Sequence, residues 1–181
     1  MTELASPWVA RWLPVAPAGE VLDLACGRGR HAHLAAAAGH PVLAVDRDPA
    51  ALAAAAGTGI DTQCVDLEGE GAVWPFAPGR FAAVVVTNYL HRPLFGDLAA
   101  ALAPGGLLIY ETFALGNEAF GKPSNPAFLL APGELLDRAR AHGLHVLAYE
   151  DGVIRKTRSA RVQRIVAAAP GTDLSGMALD L

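Results

Sequence analysis

Residues 21–46, VLDLACGRGRHAHLAAAAGHPVLAVD, constrain this chain more than any other stretch. They read as strand, glycine loop, helix, turn and second strand, with an acid near each strand end. Val21, Leu22 and Leu24 make a short apolar run suited to a strand buried on both faces. Asp23 interrupts that run just before Ala25-Cys26-Gly27-Arg28-Gly29. Glycines at these positions allow a sharp turn and leave room for a ligand against bare main chain. The alanine-rich residues 30–38 have strong helix propensity, and Gly39 supplies a C-terminal stop. Residues 42–45 form the second strand, and Asp46 at its end can accept both hydroxyls of a ribose. The arrangement predicts a nucleoside-cofactor site.

Glycine spacing alone does not choose the cofactor, because Gly27-Arg28-Gly29-Arg30-His31-Ala32 also fits the GxGxxA of nicotinamide binders. Asp23 tilts the choice. Four residues before Gly27, its negative charge would oppose a pyrophosphate and welcome a cation. S-adenosylmethionine carries an ammonium and a sulfonium. The stretch resembles the first motif of class I S-adenosylmethionine-dependent methyltransferases, with Ala25 standing at that motif's first glycine.

At 181 residues the chain is most simply one domain, long enough to bury a sizeable core. Apolar residues make up 52% and charged residues 18%, which argues against disorder. A net charge of −4 gives no general pull toward nucleic acid or an anionic membrane. No run reaches the roughly 20 apolar residues of a membrane span. The start, MTELASPWVARW, has no basic region followed by an apolar core, so no export signal is expected. Cys26 and Cys64 are the only cysteines and suit a reducing, cytoplasmic setting as small core residues.

Outside the glycine-loop unit, Ser6-Pro7-Trp8 reads as a helix start within an N-terminal segment, residues 1–18. Trp8 and Trp12 share a face, so this helix either packs on the domain or covers the cleft, with Trp8 or Arg11 near substrate. Asp48 caps a second alanine-rich helix running to Ala56, and residues 60–65 form a third strand ending at Asp66-Leu67-Glu68. Trp74-Pro75-Phe76 packs on the sheet edge. Residues 81–87, FAAVVVT, are a fourth strand, placing Asn88, Tyr89 and His91 near the ligand crevice of a doubly wound sheet. A helix over 94–103, the turn Pro104-Gly105-Gly106 and a fifth strand over 107–113 follow. Residues 114–131 show no periodicity, and a connection this long points to a substrate loop or lid. A helix over 132–142, strands over 144–149 and 161–168 joined by residues 151–158, and a loose tail over 170–181 complete the chain. Arg155, Lys156, Arg158, Arg161 and Arg164 cluster in that connection and its flank, as a solvated hairpin or an RNA-facing patch.

From end to end, apart from its tail, the chain looks like a small class I methyltransferase. It is most similar to the bacterial tellurite-resistance methyltransferases of the TehB type, through LDLACGRGRHAHLAAAAGHPVLAVDRD, CVDLE and FLLAPGELL…AYEDG…RIVAAA. The resemblance implies an α/β fold: a Rossmann-like, doubly wound, seven-stranded sheet, mainly parallel with an antiparallel last strand. It implies S-adenosylmethionine as cofactor and S-adenosylhomocysteine as product. The cofactor-binding residues it implies are Asp23, Ala25, Gly27, Gly29, Asp46, Arg47, Asp66, Leu67 and Asn88. Asp66 would accept the adenine amino group and Leu67 would pack on the ring. The acceptor it implies is a small molecule with a thiol- or chalcogen-type nucleophile. Since the sulfonium is an activated leaving group, the protein mainly aligns the acceptor and excludes water. His91 is the candidate base where the acceptor arrives protonated. Tyr89 joins His91 as a candidate catalytic residue, while Tyr110 and Asn117 would line the pocket and Arg92 and Lys122 would attract an anionic acceptor.

Two other readings stay open: an RNA or protein methyltransferase using the basic hairpin, and a nicotinamide enzyme or non-catalytic cofactor-binding module. No metal site is expected, because His31 and His33 do not share a helix face and His40, His142 and His145 lack matching ligands. A nucleophile-elbow GxSxG is absent, which removes the Ser/His/Asp hydrolases.

Overall fold

The computed structural model describes residues 4–155 and 159–175. Ser6 caps α1 (Pro7–Trp12) by accepting from the Trp8 amide, and Pro7 sits where a helix needs no N–H partner. A 3-10 turn over Leu13–Val15 leads into β1 (Val21–Leu24). Strand and helix then alternate through α2 (Arg30–Ala37), β2 (Val42–Asp46), α3 (Pro49–Ala55) and β3 (Ile60–Cys64). The second half runs through β4 (Phe81–Thr87), α4 (Phe95–Ala100), β5 (Leu102–Phe113), α5 (Glu134–Ala141), β6 (His145–Ile154) and β7 (Ala160–Ala168).

One seven-stranded sheet results, in the order β3-β2-β1-β4-β5-β7-β6. Strands β1 to β5 pair in parallel, and β7 runs antiparallel between β5 and β6. This is the expected doubly wound sheet with its antiparallel last strand. A dinucleotide fold continues 3-2-1-4-5-6 without such an insertion. The reversal follows from the connection between β6 and β7, since only antiparallel neighbours can be joined by so few residues.

Helices cover both faces. On one, α1, α2 and α3 bury Trp8, Trp12, Ala35 and Leu52 against Val21, Val85, Ile109 and Val166. On the other, α4 and α5 bury Phe95, Leu98, Leu135 and Ala139 against Leu22, Val84, Leu108 and Ile165. Every residue of β1 and β4 is buried, which is why both read as near-continuous apolar runs. Phe76 is buried too and stacks edge-on with Trp74 and Phe81.

Several boundaries depart from expectation for identifiable reasons. β3 ends at Cys64, one residue short. The helix expected over 94–103 opens as a 3-10 turn, Arg92–Leu94, and ends at Ala100 because Leu102 already pairs with Phe81. Pro104-Gly105-Gly106 is therefore a bulge inside β5, where the register jumps from Phe81↔Leu102 to Ala83↔Leu107. A proline without an N–H fits such a bulge and not a regular ladder. β6 continues past Tyr149 to Ile154, so half of the expected 151–158 connection is paired strand. Lys156 and Arg158 lie outside the described residues, as do 176–181 of the tail. The 114–131 segment has its own structure: two 3-10 turns, a bridge between Ala114 and Leu130, and buried Asn117, Leu129 and Leu130. Among the described residues no helix is long and apolar enough to cross a membrane.

Candidate active site

The chain winds outward from β1 on one side and from β4 on the other, so a crevice opens beyond their C-terminal ends. A cleft of about 220 Å³ sits there, floored by Leu24, Val45, Val65 and Leu67. Asp46, Arg47, Asp66 and Glu68 form its rim, and Tyr89 enters from beyond β4. Ala25, which also lines the cleft, and Asn88 hold left-handed backbone, with φ of +53° and +55°. They follow Leu24 and Thr87, at the ends of the paired strands β1 and β4, so strained or unusual backbone flanks the crevice on both sides.

The glycine loop divides its work between two residues. A Cβ added to Gly29, φ +76°, would lie 2.6 Å from the Ala55 Cβ, so this glycine lets α2 pack on α3. Gly27, φ +54°, has nothing within 4 Å of that position, which leaves its main chain open to a ligand. Asp46 holds the loop: Oδ2 accepts from the Gly27 amide at 2.8 Å and Oδ1 from the Asp48 amide at 3.0 Å. Each carboxylate oxygen keeps a second acceptor site, so Asp46 can also receive ligand hydroxyls. Asp66 Oδ1 accepts from the Glu68 and Gly69 amides at 2.9 and 3.2 Å, which fixes that carboxylate on the rim beside the buried Leu67.

Several expected roles are corrected by geometry. Asp23 is 1% exposed and lies behind the loop, where Oδ2 accepts from the Ala32 amide at 2.8 Å. Burial raises its pKa to about 7, against the Ala32 hydrogen bond and Arg30 and with help from Asp46. It ties β1 to α2 and is not on the cleft surface. Tyr110 does not line a pocket: it is buried, stacked on Phe95 at 5.3 Å, and donates to the Tyr89 carbonyl at 2.8 Å. Arg92 is committed to Glu134 at 2.7 and 2.9 Å and to the Ala127 and Leu129 carbonyls. Burial pushes Glu134 up, but Arg92, the Ala131 amide and Arg138 outweigh it and bring its pKa to about 2. Asn117 is 1% exposed, donating to the Pro123 carbonyl and accepting from the Arg161 amide.

Tyr89 reaches the cleft, yet burial and then the negative charge of the nearby Glu68 push its phenol up. At neutral pH it is a donor and not a base. His91 precedes the Arg92–Leu94 turn, makes no side-chain cap bond and is not among the residues lining the cleft. Lys122 is exposed on the loop. Arg11 is exposed over Trp12, and Trp8 is buried, so α1 packs on the sheet face and does not span the cleft. Burial, then Asp23 and Asp46, push the Cys26 thiol up to about 12, which removes it as a nucleophile. Two of the five basic residues of the hairpin are paired among the described residues, Arg161 with Asp151 and Arg164 with Glu111 and Glu150.

Sequence reasoning missed the Glu68 carboxylate on the cleft rim near Tyr89, and a buried polar row beside the crevice. The Ser6 amide donates to His31 Nε2 at 3.0 Å, and the Ser6 hydroxyl donates to Glu111 Oε1 at 2.9 Å. His31 Nδ1 lies 3.3 Å from the Thr87 hydroxyl, and Arg164 donates to Glu111 at 3.3 Å and to Glu150 at 2.9 Å. Burial, with Arg30, lowers the His31 pKa to about 3, so the ring is neutral at physiological pH. The signal available was register. Thr87, Glu111, Arg164 and Glu150 are cross-strand partners on β4, β5, β7 and β6.

Residues 21–106, from β1 through the bulge of β5, match the family model described as a methyltransferase domain. Among curated proteins none matches the chain. Of solved structures, TehB from Haemophilus influenzae is 18% identical with a TM-score of 0.73, over 93% of this chain and 63% of that one. An S-adenosylmethionine-dependent methyltransferase from Mesorhizobium loti is 19% identical with a TM-score of 0.67, over 88% and 97%. The [4+2]-cyclase SpnF shares the fold at 16% identity and a TM-score of 0.70, over 90% and 78%.

Proposed function

We propose that this chain, an S-adenosylmethionine-dependent methyltransferase by its domain and fold, methylates a small molecule at a thiol- or chalcogen-type nucleophile. One observation carries the cofactor side of this reading. Asp46 and Asp66, at the ends of β2 and β3, rim a cleft whose floor is apolar and whose glycine loop is open at Gly27. That set of acceptors suits a nucleoside: Asp46 accepts the ribose hydroxyls, Asp66 accepts the adenine amino group, and Leu67 packs on the ring. The cleft is smaller than the ~300–1,000 Å³ of whole ligand pockets, so it takes the nucleoside end, with the amino-acid end over Ala25 and Gly27.

When bound, the cofactor supplies a methyl already activated on a sulfonium. The chain's part is alignment and exclusion of water. Ala25 and Asn88 flank the crevice, and Tyr89 lines it opposite Asp66 and Glu68. A thiolate or chalcogenide needs no proton removed, which agrees with a cleft whose one phenol is held protonated. The sequence resemblance to the tellurite-resistance methyltransferases supports a soft nucleophile, and the pairing of Arg161 with Asp151 and of Arg164 with Glu111 and Glu150 lowers the charge open to an RNA acceptor.

The test follows S-adenosylhomocysteine release across thiols, chalcogen oxyanions, small carboxylic acids and tRNA. Turnover is expected with thiols or chalcogen species. Turnover with tRNA alone would overturn the small-molecule reading.

A further inference from the structure

The buried polar row ends in a hydroxyl whose orientation follows atom by atom. The Ser6 amide can only donate, so His31 Nε2, its partner at 3.0 Å, carries a lone pair and no proton. The ring is neutral, which puts its one N–H on Nδ1. That N–H donates to Thr87 Oγ1 at 3.3 Å, so the hydroxyl's own proton is directed elsewhere. Among the described residues His31 is the one side-chain partner of Thr87. Thr87 is only 8% exposed, and a proton held there needs an acceptor.

Thr87 stands beside the path a cofactor would take. It is the last residue of β4, and Leu24 of β1 pairs with Val86. The residues that follow, Ala25 and Thr87, therefore lie about one strand spacing apart, roughly 4.8 Å. Val85 packs in the cluster under α1 to α3 and Val86 in the opposite one, so alternation turns Thr87 toward α2. It meets His31 in the first turn of that helix, directly after the glycine loop. Ala25 lines the nucleoside cleft and Gly27 leaves its main chain open. A ligand that leaves the cleft over these two residues runs toward Thr87.

We propose that Thr87 is a cofactor-binding residue, donating its hydroxyl proton to the α-carboxylate of S-adenosylmethionine in an orientation set by His31 and Ser6. The proposal rests on the methyltransferase reading and deepens it. A carboxylate only accepts and so answers the unpaired proton, in a charge-assisted bond. The ammonium at the same end only donates and would leave that proton unpaired. The acids near this end are already engaged: Glu111 by Ser6 and Arg164, and Asp23 by the Ala32 amide.

The probes are S-adenosylhomocysteine and its decarboxylated analogue, S-adenosyl-3-thiopropylamine, titrated calorimetrically into the unmodified chain, Thr87→Val and Thr87→Ser. The analogue is expected to bind the unmodified chain at least tenfold more weakly. Thr87→Val keeps the shape and removes the hydroxyl. It should weaken S-adenosylhomocysteine at least tenfold and leave the analogue within about twofold, while Thr87→Ser keeps the affinity for both. A merely structural role would weaken both probes equally in Thr87→Val. That result, unchanged S-adenosylhomocysteine affinity in Thr87→Val, or an analogue that binds the unmodified chain as tightly, overturns the proposal. Nitrogen NMR of the unmodified chain, which needs no variant to fold, is expected to show the Nδ1–H tautomer of His31, and the Nε2–H tautomer overturns the assigned orientation. Binding of neither probe to the unmodified chain would instead overturn the cofactor reading.

Discussion

Ala25 holds a φ of +53° where the resembling motif carries glycine. Left-handed backbone costs an alanine roughly 1–2 kcal/mol, and glycine's greater unfolded-state freedom returns about 0.5–1 kcal/mol of that. Ala25→Gly should therefore raise stability by roughly 0.5–1 kcal/mol in urea unfolding, and an unchanged or lower midpoint would show that the position is not strained. Asp23 and His31 make opposed contributions to pH dependence. The Asp23 pKa of about 7 lies above its ordinary 3.8, so the folded chain binds more protons in that window and stability falls as pH rises. His31, at about 3 against 6.5, does the reverse, and its contribution is lost as pH falls from 6.5. Asp23→Asn should steepen the acid loss between pH 4 and 7, while His31→Gln, which keeps an acceptor for Ser6, should make the chain more stable toward pH 4. Urea midpoints that track each other in all three proteins would contradict both assignments. Asp46 and Asp66 were legible because the strand-end position of an acid is itself a spacing signal. Tyr110, Arg92 and Asn117 were not. A polar residue near a strand end looks the same in sequence whether it faces a ligand or satisfies a buried carbonyl.

At the scale of elements, hydrophobic pattern located the strands and helices well where one period ran uninterrupted, as in FAAVVVT of β4. It misplaced the start of β5, where a bulge hides inside what reads as a turn, and the end of β6, where Asp151 and Gly152 read as a connection although both are paired. The 114–131 segment had no period because its order comes from single tertiary contacts. Asn117 is the central one, joining Pro123 to the Arg161 amide. Asn117→Ala leaves that amide without its acceptor and should cost about 1–3 kcal/mol of stability in urea unfolding, with affinity for S-adenosylhomocysteine unchanged. A cost near zero would mean that the segment is held elsewhere. Gly116 and Gly121, with φ of +100° and +132°, bracket the first 3-10 turn and are the natural hinges if the segment moves over an acceptor.

At the scale of the molecule, one topological fact organises the account. β1 and β4 are neighbours from which the chain departs in opposite directions, and the cleft lies where they part. The position of that cleft could be read from residues 21–46, because the glycine loop, its helix and Asp46 specify one crossover and its ligand end together, whereas the fold was legible from the alternation of strands and helices along the rest of the chain. The polar row could not, since it depends on the register of β4, β5 and β7, which other elements separate in the chain. The central claim is that Asp46 anchors S-adenosylmethionine in this cleft. Calorimetric titration with S-adenosylhomocysteine tests it most directly, comparing the unmodified chain with Asp46→Ala, and NAD serves as the competing ligand. The account predicts saturable one-to-one binding to the unmodified chain, no binding of NAD, and at least a tenfold loss in the variant, since each lost charge-assisted hydrogen bond removes about 1.5–3 kcal/mol. Binding of NAD in place of S-adenosylhomocysteine, or equal affinity in a folded Asp46→Ala chain, would contradict it.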